Sequence, residues 1–291
     1  MRPKVQRFSP QTRAILFMLA TVFLFSTMDA SAKALSERTG TVPAIWARYL
    51  GQTLFVFVLV APRLRQVLRT RHPGMQALRS VLLMTGTTLF FFSVTYLGLT
   101  EATAIMNINP VLITLGAALF LGEKIGPRRI LGILVAMAGA LIVIRPGGEM
   151  FKPAALLPLM AAVSYSGYNL ATRFVRGDDP WTSLFYTAAF GAVVLSCLVP
   201  FFWVTPDLTA VALMVMIATF GTVSQLFLIR ALGLGEAGML APYAYTGLIW
   251  ATLWGVIFFQ DWPDAWTLTG AALIVGAGLY VWYREAVRKK A

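Results

Sequence analysis

The sequence has few of the residues on which metal sites and nucleophilic catalysis depend. Its one cysteine, Cys197, and its one histidine, His72, exclude an intramolecular disulfide, a zinc site built from His and Cys, and a Cys–His nucleophile pair. Cys197 lies in an apolar run, where a buried and unreactive thiol is expected. No GxxxxGK motif followed by Ser or Thr occurs, so direct drive by ATP is not expected. The sequence therefore predicts no metal and no cofactor.

Charge is also scarce. Charged residues make up 12% of the chain and hydrophobic residues 58%, and the mean hydropathy is +0.74, whereas about a quarter of the residues in a soluble domain are charged. This composition excludes an ordinary soluble domain and predicts an integral membrane protein. The net charge of +12 is spread over short loops, which indicates membrane topology and gives no reason to expect nucleic-acid binding.

The apolar residues form ten segments of about 20 residues, the length that crosses a hydrocarbon core of ~30 Å. The predicted spans are 14–34, 43–61, 76–97, 101–121, 129–145, 154–174, 181–202, 209–231, 236–258 and 265–283. Residues 1–12 and 285–291 are predicted to be basic tails. The first apolar run continues past the length of a secretory signal peptide, so an uncleaved first span is expected.

The Lys and Arg residues orient these spans. With the N terminus inside, the inner segments hold 19 of the 24 Lys and Arg residues, which is the distribution that the positive-inside rule describes. The loop 61–75 alone contains four arginines. We therefore expect a multi-pass protein of the cell inner (plasma) membrane with both termini in the cytoplasm.

The two halves of the chain repeat each other. Residues 96–102 read YLGLTEA and residues 231–237 read ALGLGEA, an offset of 135. Near the start of each half, Asp29 aligns with Asn169 at an offset of 140, and Lys33 aligns with Arg173 at the same offset. In an apolar chain, a repeat of about 140 residues is typical of a duplicated transporter half.

The repeats are expected to have opposite orientations in the membrane. Each half contains five predicted spans, so the second half begins on the opposite side from the first. The loop charges agree, because the loop near 206–207, which is equivalent to the arginine-rich loop 61–75, has no Lys or Arg. The predicted fold is all-α, with a first five-helix repeat at 13–146 and an inverted second repeat at 153–284 around a central cavity.

Five segments resemble a known family, the ten-helix EamA-type branch of the drug/metabolite transporter superfamily. They are FSTMDASAK (25–33), PAIWARYLGQ (43–52), YLGLTEATAI (96–105), FLGEKIGPRRILG (120–132) and LAPYAYTGLIWATLWG (240–255). Within that branch the chain is most similar to amino-acid exporters of the YddG type. Similar sequences are also assigned to riboflavin or S-adenosylmethionine uptake.

The resemblance implies a basket of two inverted five-helix bundles. It implies a cavity lined mainly by spans 1, 3, 4, 6, 8 and 9, with spans 5 and 10 packed away from it. The sequence agrees with that packing, since spans 5 and 10 carry small residues that favour close helix contact, namely Gly132, Ala136, Gly139, Ala140, Gly270, Ala272, Gly276 and Gly278.

Three charged residues lie deep in the first two spans. Asp29 lies ~24 Å along span 1 at ~1.5 Å per residue, Lys33 follows one turn later, and Arg48 reaches a similar depth in span 2. Because an unpaired carboxylate in hydrocarbon costs several kcal/mol, the three are expected to form one cluster or gate. Structural pairing is one interpretation of this cluster, and direct handling of substrate or protons is the other.

Two prolines interrupt the helical pattern of spans 4 and 9. Pro110 leaves the carbonyl of Met106 without its usual donor, and Pro242 does the same for Gly238. Such kinks suit a substrate site, although prolines also kink membrane helices for packing alone. The candidate substrate-binding residues around them carry a neutral hydrogen-bonding group or an aromatic ring and are Thr87, Phe91, Asn107, Asn109, Tyr165, Tyr168, Asn169, Gln225, Tyr243, Tyr245 and Trp250. This set suits a zwitterion with an apolar side chain or a flat ring system.

The predicted function is that of an inner-membrane secondary transporter working by alternating access, most like an exporter of aromatic and other neutral amino acids. The alternative is uptake of riboflavin or S-adenosylmethionine. A further alternative, an integral-membrane enzyme acting on a lipid-linked substrate, requires carboxylates, His or metal ligands clustered near one interface, and the acidic residues are too dispersed for this. The expected partners are a small-molecule substrate and the lipid bilayer. A monomer suffices, and the oligomeric state, the direction and the ion coupling stay open.

Overall fold

A computed structural model describes residues 9–121, 127–145, 152–175, 177–235, 240 and 243–288, and the regular secondary structure of these residues is all helical, with no strand among them. The α-helices are α1 Pro10–Thr39, α2 Thr41–Val60, α3 Leu64–Val67, α4 Pro73–Tyr96, α5 Leu99–Met106, α6 Asn109–Leu121, α7 Pro127–Ile144, α8 Leu156–Thr172, α9 Pro180–Leu198, α10 Leu208–Leu234, α11 Thr246–Phe259 and α12 Ala265–Arg288. Short 3₁₀ turns extend α2, α8 and α9.

The helices reproduce the predicted all-α membrane fold. Five of them are long and apolar enough to cross a membrane on these criteria alone, and shorter apolar helices occupy the regions of predicted spans 5, 9 and 10. The first helix is longer than the predicted 14–34. It begins at Pro10 because the Ser9 hydroxyl accepts a hydrogen bond from the Thr12 amide at 3.2 Å. It ends at Thr39 because Gly40 has a φ of +88°, a left-handed value that favours glycine.

The fourth predicted span is broken in the middle. Helix α5 ends at Met106 and α6 begins at Asn109, so the chain is non-helical for two residues next to Pro110. Local bonds bridge the break, with the Asn107 amide donating to the Thr103 carbonyl at 3.0 Å. Pro242, the other predicted kink, lies outside the described residues.

The helix contacts follow the sequence repeat. Helix α1 packs along α10, and its repeat mate α8 packs along α4, the mate of α10. Helices α2 and α9, which are mates of each other, also pack together, and so do α7 and α12. The two halves therefore interlock through equivalent surfaces, as expected for a duplicated transporter fold.

Helices α7 and α12 touch through their backbones. A Cβ atom on Gly139 would lie 2.8 Å from the Gly270 carbonyl oxygen, and one on Gly270 would lie 2.5 Å from the Gly139 carbonyl oxygen. This contact agrees with the close packing implied for spans 5 and 10. Two other glycines of α12 differ in how closely they are packed. Gly278 lies against the Tyr245 ring, whereas a Cβ atom on Gly276 would have no atom within 4 Å.

One expectation about a single side chain is wrong. Cys197 was expected to be buried, but it is exposed on the surface of α9. An apolar neighbourhood does not distinguish the core of a membrane protein from the surface that faces lipid, because both are apolar. Cys197 is therefore a surface residue of a membrane-spanning helix.

The loops lie at two ends of the molecule. At one end, the Arg71 amide donates to the Asp178 carboxylate between residues 61–72 and 177–179. At the other end, Arg38 pairs with Asp207 in the loop 199–207. We call these the Arg71 end and the Asp264 end, the latter after the acidic residue that precedes α12.

Candidate functional site

A cavity of about 220 Å³ lies at the centre of the molecule, between the two halves. Its lining residues are Phe25, Met28, Asp29, Arg48, Phe90, Thr103, Met106, Asn107, Tyr165 and Gln225. Helix periodicity explains the set, because α1 contributes positions 25, 28 and 29, and α5 with its C-cap residue Asn107 contributes positions 103, 106 and 107, each spaced i, i+3 and i+4. We call this the central cavity.

Two opposite charges face the central cavity without pairing directly. Arg48 is 5% exposed, its Nε has no hydrogen-bond partner, and its guanidinium lies 5.5 Å from the centre of the Phe91 ring. None of the ion pairs within 4.0 Å that the described residues form contains Arg48 or Asp29. A guanidinium and a carboxylate held apart in one cavity present binding groups for a carboxylate and an ammonium group of a ligand.

A chain of hydroxyl groups fixes Tyr165 on the cavity wall. The Tyr49 hydroxyl donates to Thr87 Oγ1 at 3.1 Å, and Thr87 Oγ1 lies 3.1 Å from the Tyr165 hydroxyl. Tyr49 and Thr87 are buried, so only Tyr165 of the three reaches the cavity. Thr87 and Phe91, both predicted to bind substrate, thus lie behind the wall and position its residues.

Repeated glycines give the lining side chains their space. A Cβ atom on Gly86 would lie 2.9 Å from Tyr165 Cδ2, and one on its repeat mate Gly221 would lie 2.9 Å from Met28 Sδ. Both Tyr165 and Met28 line the central cavity. Gly86 and Gly221, which are equivalent at the repeat offset of 135, therefore each leave space for a lining residue.

A second cavity of about 380 Å³ continues from the first toward the Arg71 end. The two share Phe25, Tyr165 and Gln225. The remaining lining residues come from α4, α8, α9, α10 and the segments beside them and are Arg79, Leu83, Tyr168, Asn169, Thr172, Val175, Asp178, Pro180, Ser183, Leu184, Leu228 and Ile229. We call this cavity the vestibule.

The Asp264 end is held by ion pairs between the two halves. Lys33 pairs with Asp261, Arg145 pairs with Asp264, and Arg38 Nη1 lies 3.0 Å from an Asp207 carboxylate oxygen. Each pair joins a cation of the first half to an anion of the second. These ion pairs lie at the end opposite the vestibule, and they join the two halves there.

The pairing of Lys33 corrects one sequence expectation. Lys33 was expected to join Asp29 and Arg48 in a single cluster, but its ammonium bonds to Asp261 and lies 4.6 Å from the centre of the Phe259 ring. The long lysine side chain reaches the polar end of the molecule, where the cost of burying its charge is smaller. The cluster is therefore two groups, with Asp29 and Arg48 in the cavity and Lys33 in the ion pair at the Asp264 end.

Two loop carboxylates are held in the ionised form. Partial burial pushes the pKa of Asp178 upward, but hydrogen bonds from Thr70, Gln76 and the Arg71 amide outweigh this and leave the pKa below its ordinary value. Burial likewise raises the pKa of Asp264, while bonds from Arg145 and Thr267 lower it further than burial raises it.

The predicted substrate-binding residues divide into three groups. Asn107, Tyr165 and Gln225 line the central cavity, and Tyr168, Asn169, Tyr165 and Gln225 line the vestibule. The others line neither cavity and are Thr87, Phe91, Asn109, Tyr243, Tyr245 and Trp250.

Several candidates that line neither cavity, on α11, in the segment before it and on α6, pack against other helices. Trp250 lies edge-on to Phe23 at 4.9 Å and stacks on Trp254 at 6.1 Å, and the Tyr245 ring is buried against Gly278. Asn109 accepts a hydrogen bond from Ser166 at 3.3 Å. No described residue of α11 lines either cavity, although span 9 was expected to do so.

Other residues at the cavities were missed. Phe25, Arg79, Thr103 and Met106 line them but were not among the candidates. Thr172 on α8 lines the vestibule and was missed as well, although it continues the helical-face pattern of the candidates Tyr165, Tyr168 and Asn169. In the part of the chain that the structure describes, no three His, Cys, Asp or Glu side chains form a group that could hold a metal ion.

Comparison with protein families decides the assignment. The model of the EamA-like transporter family matches residues 12–145 and again residues 152–283. The chain belongs to the EamA-like transporter family. The predicted family is thereby confirmed, and so is the expectation that the protein is not an enzyme.

Relatives of this EamA-like transporter have several named cargoes. It is 28% identical to the S-adenosylmethionine uptake transporter of Rickettsia bellii, over 94% of this chain and 95% of the relative. It is 27% identical to the riboflavin transporter of Brucella anthropi, over 92% and 98%. It is 29% identical to the pseudopaline exporter CntI of Pseudomonas aeruginosa, over 90% and 93%. A crystal structure with 22% sequence identity matches with a TM-score of 0.64 over 97% of this chain and 100% of the other, which shows a shared fold.

Proposed function

We propose that this EamA-like transporter exports metabolites that carry an α-amino-acid head group, such as aromatic and other neutral amino acids, across the inner membrane by alternating access. The observation that carries the proposal is the placement of Asp29 and Arg48 on one cavity wall without a direct ion pair. The ammonium group of a zwitterion would bind Asp29, and its carboxylate would bind Arg48.

The rest of the central cavity suits an apolar side chain. Phe25, Met28, Phe90 and Met106 line it, and methionine adapts its shape to different apolar groups. Asn107 and Gln225 add neutral donors and acceptors. A cavity of about 220 Å³ that adjoins one of 380 Å³ has room for a substrate larger than a small amino acid.

Uptake of S-adenosylmethionine or riboflavin is the second candidate function, favoured by relatives that carry these names. S-adenosylmethionine also has an amino-acid head group and would use the same two charges. Riboflavin has neither an ammonium nor a carboxylate group, so its transport would leave Asp29 and Arg48 without partners from the ligand.

The loop charges support an orientation with the Arg71 end in the cytoplasm, and in that orientation the structure corresponds to an inward-facing state. The vestibule then opens to the cytoplasm, and the ion pairs of Lys33, Arg38 and Arg145 close the outer side. The repeats 13–146 and 153–284 would be the two halves that move against each other, because each of these ion pairs crosses between them.

Counterflow in proteoliposomes tests the proposal. Labelled L-phenylalanine, S-adenosylmethionine and riboflavin are offered to the wild type, Asp29→Asn and Arg48→Gln, with Glu37→Gln as a control that removes an exposed charge from the same helix. We expect the wild type and the control to transport L-phenylalanine and both cavity variants to lose most transport while remaining folded. Transport of L-phenylalanine at the wild-type rate by both cavity variants would contradict the proposed site.

A further inference from the structure

The vestibule contains a buried guanidinium that has no counter-ion among the described residues. Arg79 on α4 is 2% exposed and donates to Thr172 Oγ1 at 2.9 Å, to Gln76 Oε1 at 2.8 Å and to the Tyr168 hydroxyl at 3.2 Å. All three partners are neutral, and the ion pairs within 4.0 Å in the described part of the chain do not include Arg79. A buried charge in this setting is stabilised by hydrogen bonds but retains its attraction for an anion.

A glutamine keeps the nearest carboxylate from neutralising this charge. Gln76 is completely buried, and its Oε1 accepts from Arg79 while its Nε2 donates to Asp178 at 2.9 Å and to Ser183 at 3.1 Å. These bonds fix the orientation of the amide, because its oxygen must face the guanidinium and its nitrogen must face the carboxylate. Asp178 is also bound by Thr70 and by the Arg71 amide, so it is held in place beside the loop.

The two guanidinium groups of the passage lie along one face of α8. Arg48 and Tyr165 line the central cavity, and Arg79 binds Tyr168 in the vestibule. Tyr165 and Tyr168 are three residues apart, which corresponds to about 4.5 Å along a helix axis. The tyrosine that shares the central cavity with Arg48 and the tyrosine that binds Arg79 are therefore less than one helical turn apart on α8.

We propose that Arg79, positioned by Gln76, Thr172 and Tyr168, forms a second carboxylate-binding subsite on the transport path, at the Arg71 end. The ligand class is the carboxylate group of a small metabolite, and the proposal rests on the proposed transport of amino-acid head groups. Substrate exchanges between Arg48 and Arg79 on its way between the central cavity and the Arg71 end.

The subsite is present at one end of the molecule only. At the repeat offset of 135, the position of Arg79 is taken by Met214 and that of Gln76 by Val211. The Asp264 end therefore lacks the equivalent cation and the equivalent amide. The substrate carboxylate is consequently recognised with different strength at the two ends of the passage.

Sided transport measurements test this asymmetry. Initial rates of labelled L-phenylalanine transport are measured in right-side-out and in inverted membrane vesicles containing the full chain. Arg79→Met introduces the residue of the repeat mate, and Arg69→Met removes an exposed arginine at the same end as the control. We expect Arg79→Met to raise the half-saturation concentration about tenfold or more, equivalent to about 1.4 kcal/mol, on the side that the Arg71 end faces.

Measurements on the side of the Asp264 end, and a second variant at position 79, show whether the effect of Arg79→Met is specific to the Arg71 end. On the side of the Asp264 end, the half-saturation concentration should change less than about twofold, and the control should match the wild type on both sides. If Arg79→Met does not fold, Arg79→Lys keeps the charge but loses the planar fork, and we expect a smaller rise on the same side. If Arg79→Met leaves the half-saturation concentration unchanged on both sides, or raises it equally on both sides, the proposed subsite is overturned.

The wild type separates this proposal from the proposed function. If wild-type vesicles transport neither L-phenylalanine nor S-adenosylmethionine nor riboflavin, the proposed function fails, and the subsite that rests on it fails with it. If they transport S-adenosylmethionine in place of L-phenylalanine, the same comparison is made with that carboxylate. Transport of riboflavin alone would overturn the subsite, because riboflavin has no carboxylate to bind.

Discussion

The ion pair between Lys33 and Asp261 should control how often the central cavity opens at the Asp264 end. The side chain of Lys33 is 7% exposed and that of Asp261 27% exposed, so water screens this pair only partly. The pair of Arg38 and Asp207 at the same end is 48% and 57% exposed. Removing each pair in turn therefore compares a largely buried ion pair with a solvent-screened one at the same end of the molecule.

The burial of each ion pair determines how much free energy is expected to be lost when one partner is removed. An exposed pair contributes about 0–1 kcal/mol, and removal of one partner from a fully buried pair costs about 3–5 kcal/mol. For the partly buried Lys33 pair we expect Asp261→Asn to destabilise the closed state by about 1.5–3 kcal/mol, between these limits. Because each 1.4 kcal/mol is a factor of ten, the open population should rise roughly 10- to 150-fold.

Thiol accessibility measures this population. Thr103 lines the central cavity, so Thr103→Cys in a Cys197→Ala background reports on access from the Asp264 end to an impermeant thiol reagent. Asp261→Asn should raise the labelling rate roughly 10- to 150-fold, while Asp207→Asn should raise it about fivefold at most. The reasoning is refuted if position 103 is labelled at the same rate with and without Asp261→Asn, or if Asp207→Asn raises the labelling rate as much as Asp261→Asn does.

Two further predictions concern topology and packing. With both termini in the cytoplasm, Arg71→Cys in the Cys197→Ala background should react with an impermeant reagent only from the cytoplasm and Asp264→Cys only from outside; labelling of position 264 from inside would contradict the inverted topology. Gly139→Ala should lower thermal stability by about 1–3 kcal/mol, because its Cβ would lie 2.8 Å from a carbonyl oxygen of α12, whereas Gly276→Ala, with nothing within 4 Å, should leave it unchanged. Equal melting temperatures for both variants would disprove the packing argument.

The fold could be predicted from the sequence because its main signals are local or repeated. Apolar runs gave the spans, and the repeat gave the two halves and the pairs of helices that pack together. The boundaries that moved depended on single residues, such as Ser9 and Pro10 at the start of α1 and Gly40 at its end. These cap signals are visible in the sequence, but they lie outside the apolar run that defines the span.

The site was less predictable because it depends on which helix face meets which neighbour. Tyr245 and Trp250 have the chemistry of a binding site, but one packs on α12 and the other on Phe23. Arg79 is one of the 19 Lys and Arg residues assigned to the inner side, because the sequence does not show that its side chain turns inward to Gln76. The partner of Lys33 was missed because Asp261 is 228 positions away in the chain.

The two ends of the molecule use equivalent contacts with reversed charge. At the Asp264 end, Arg38 near the end of α1 binds Asp207, which caps α10. At the repeat offset of 140, Arg38 corresponds to Asp178, which follows α8 and binds Thr70 and the Arg71 amide just before α4. The same two elements therefore meet at each end, with the cation on α1 in one contact and the anion after α8 in the other. The positive-inside rule accounts for the loops, since the loop before α4 has four arginines and the loop before α10 has none. The residues at positions 38 and 178 each carry the charge opposite to that of the loop they contact, as expected for equivalent positions on opposite sides of the membrane.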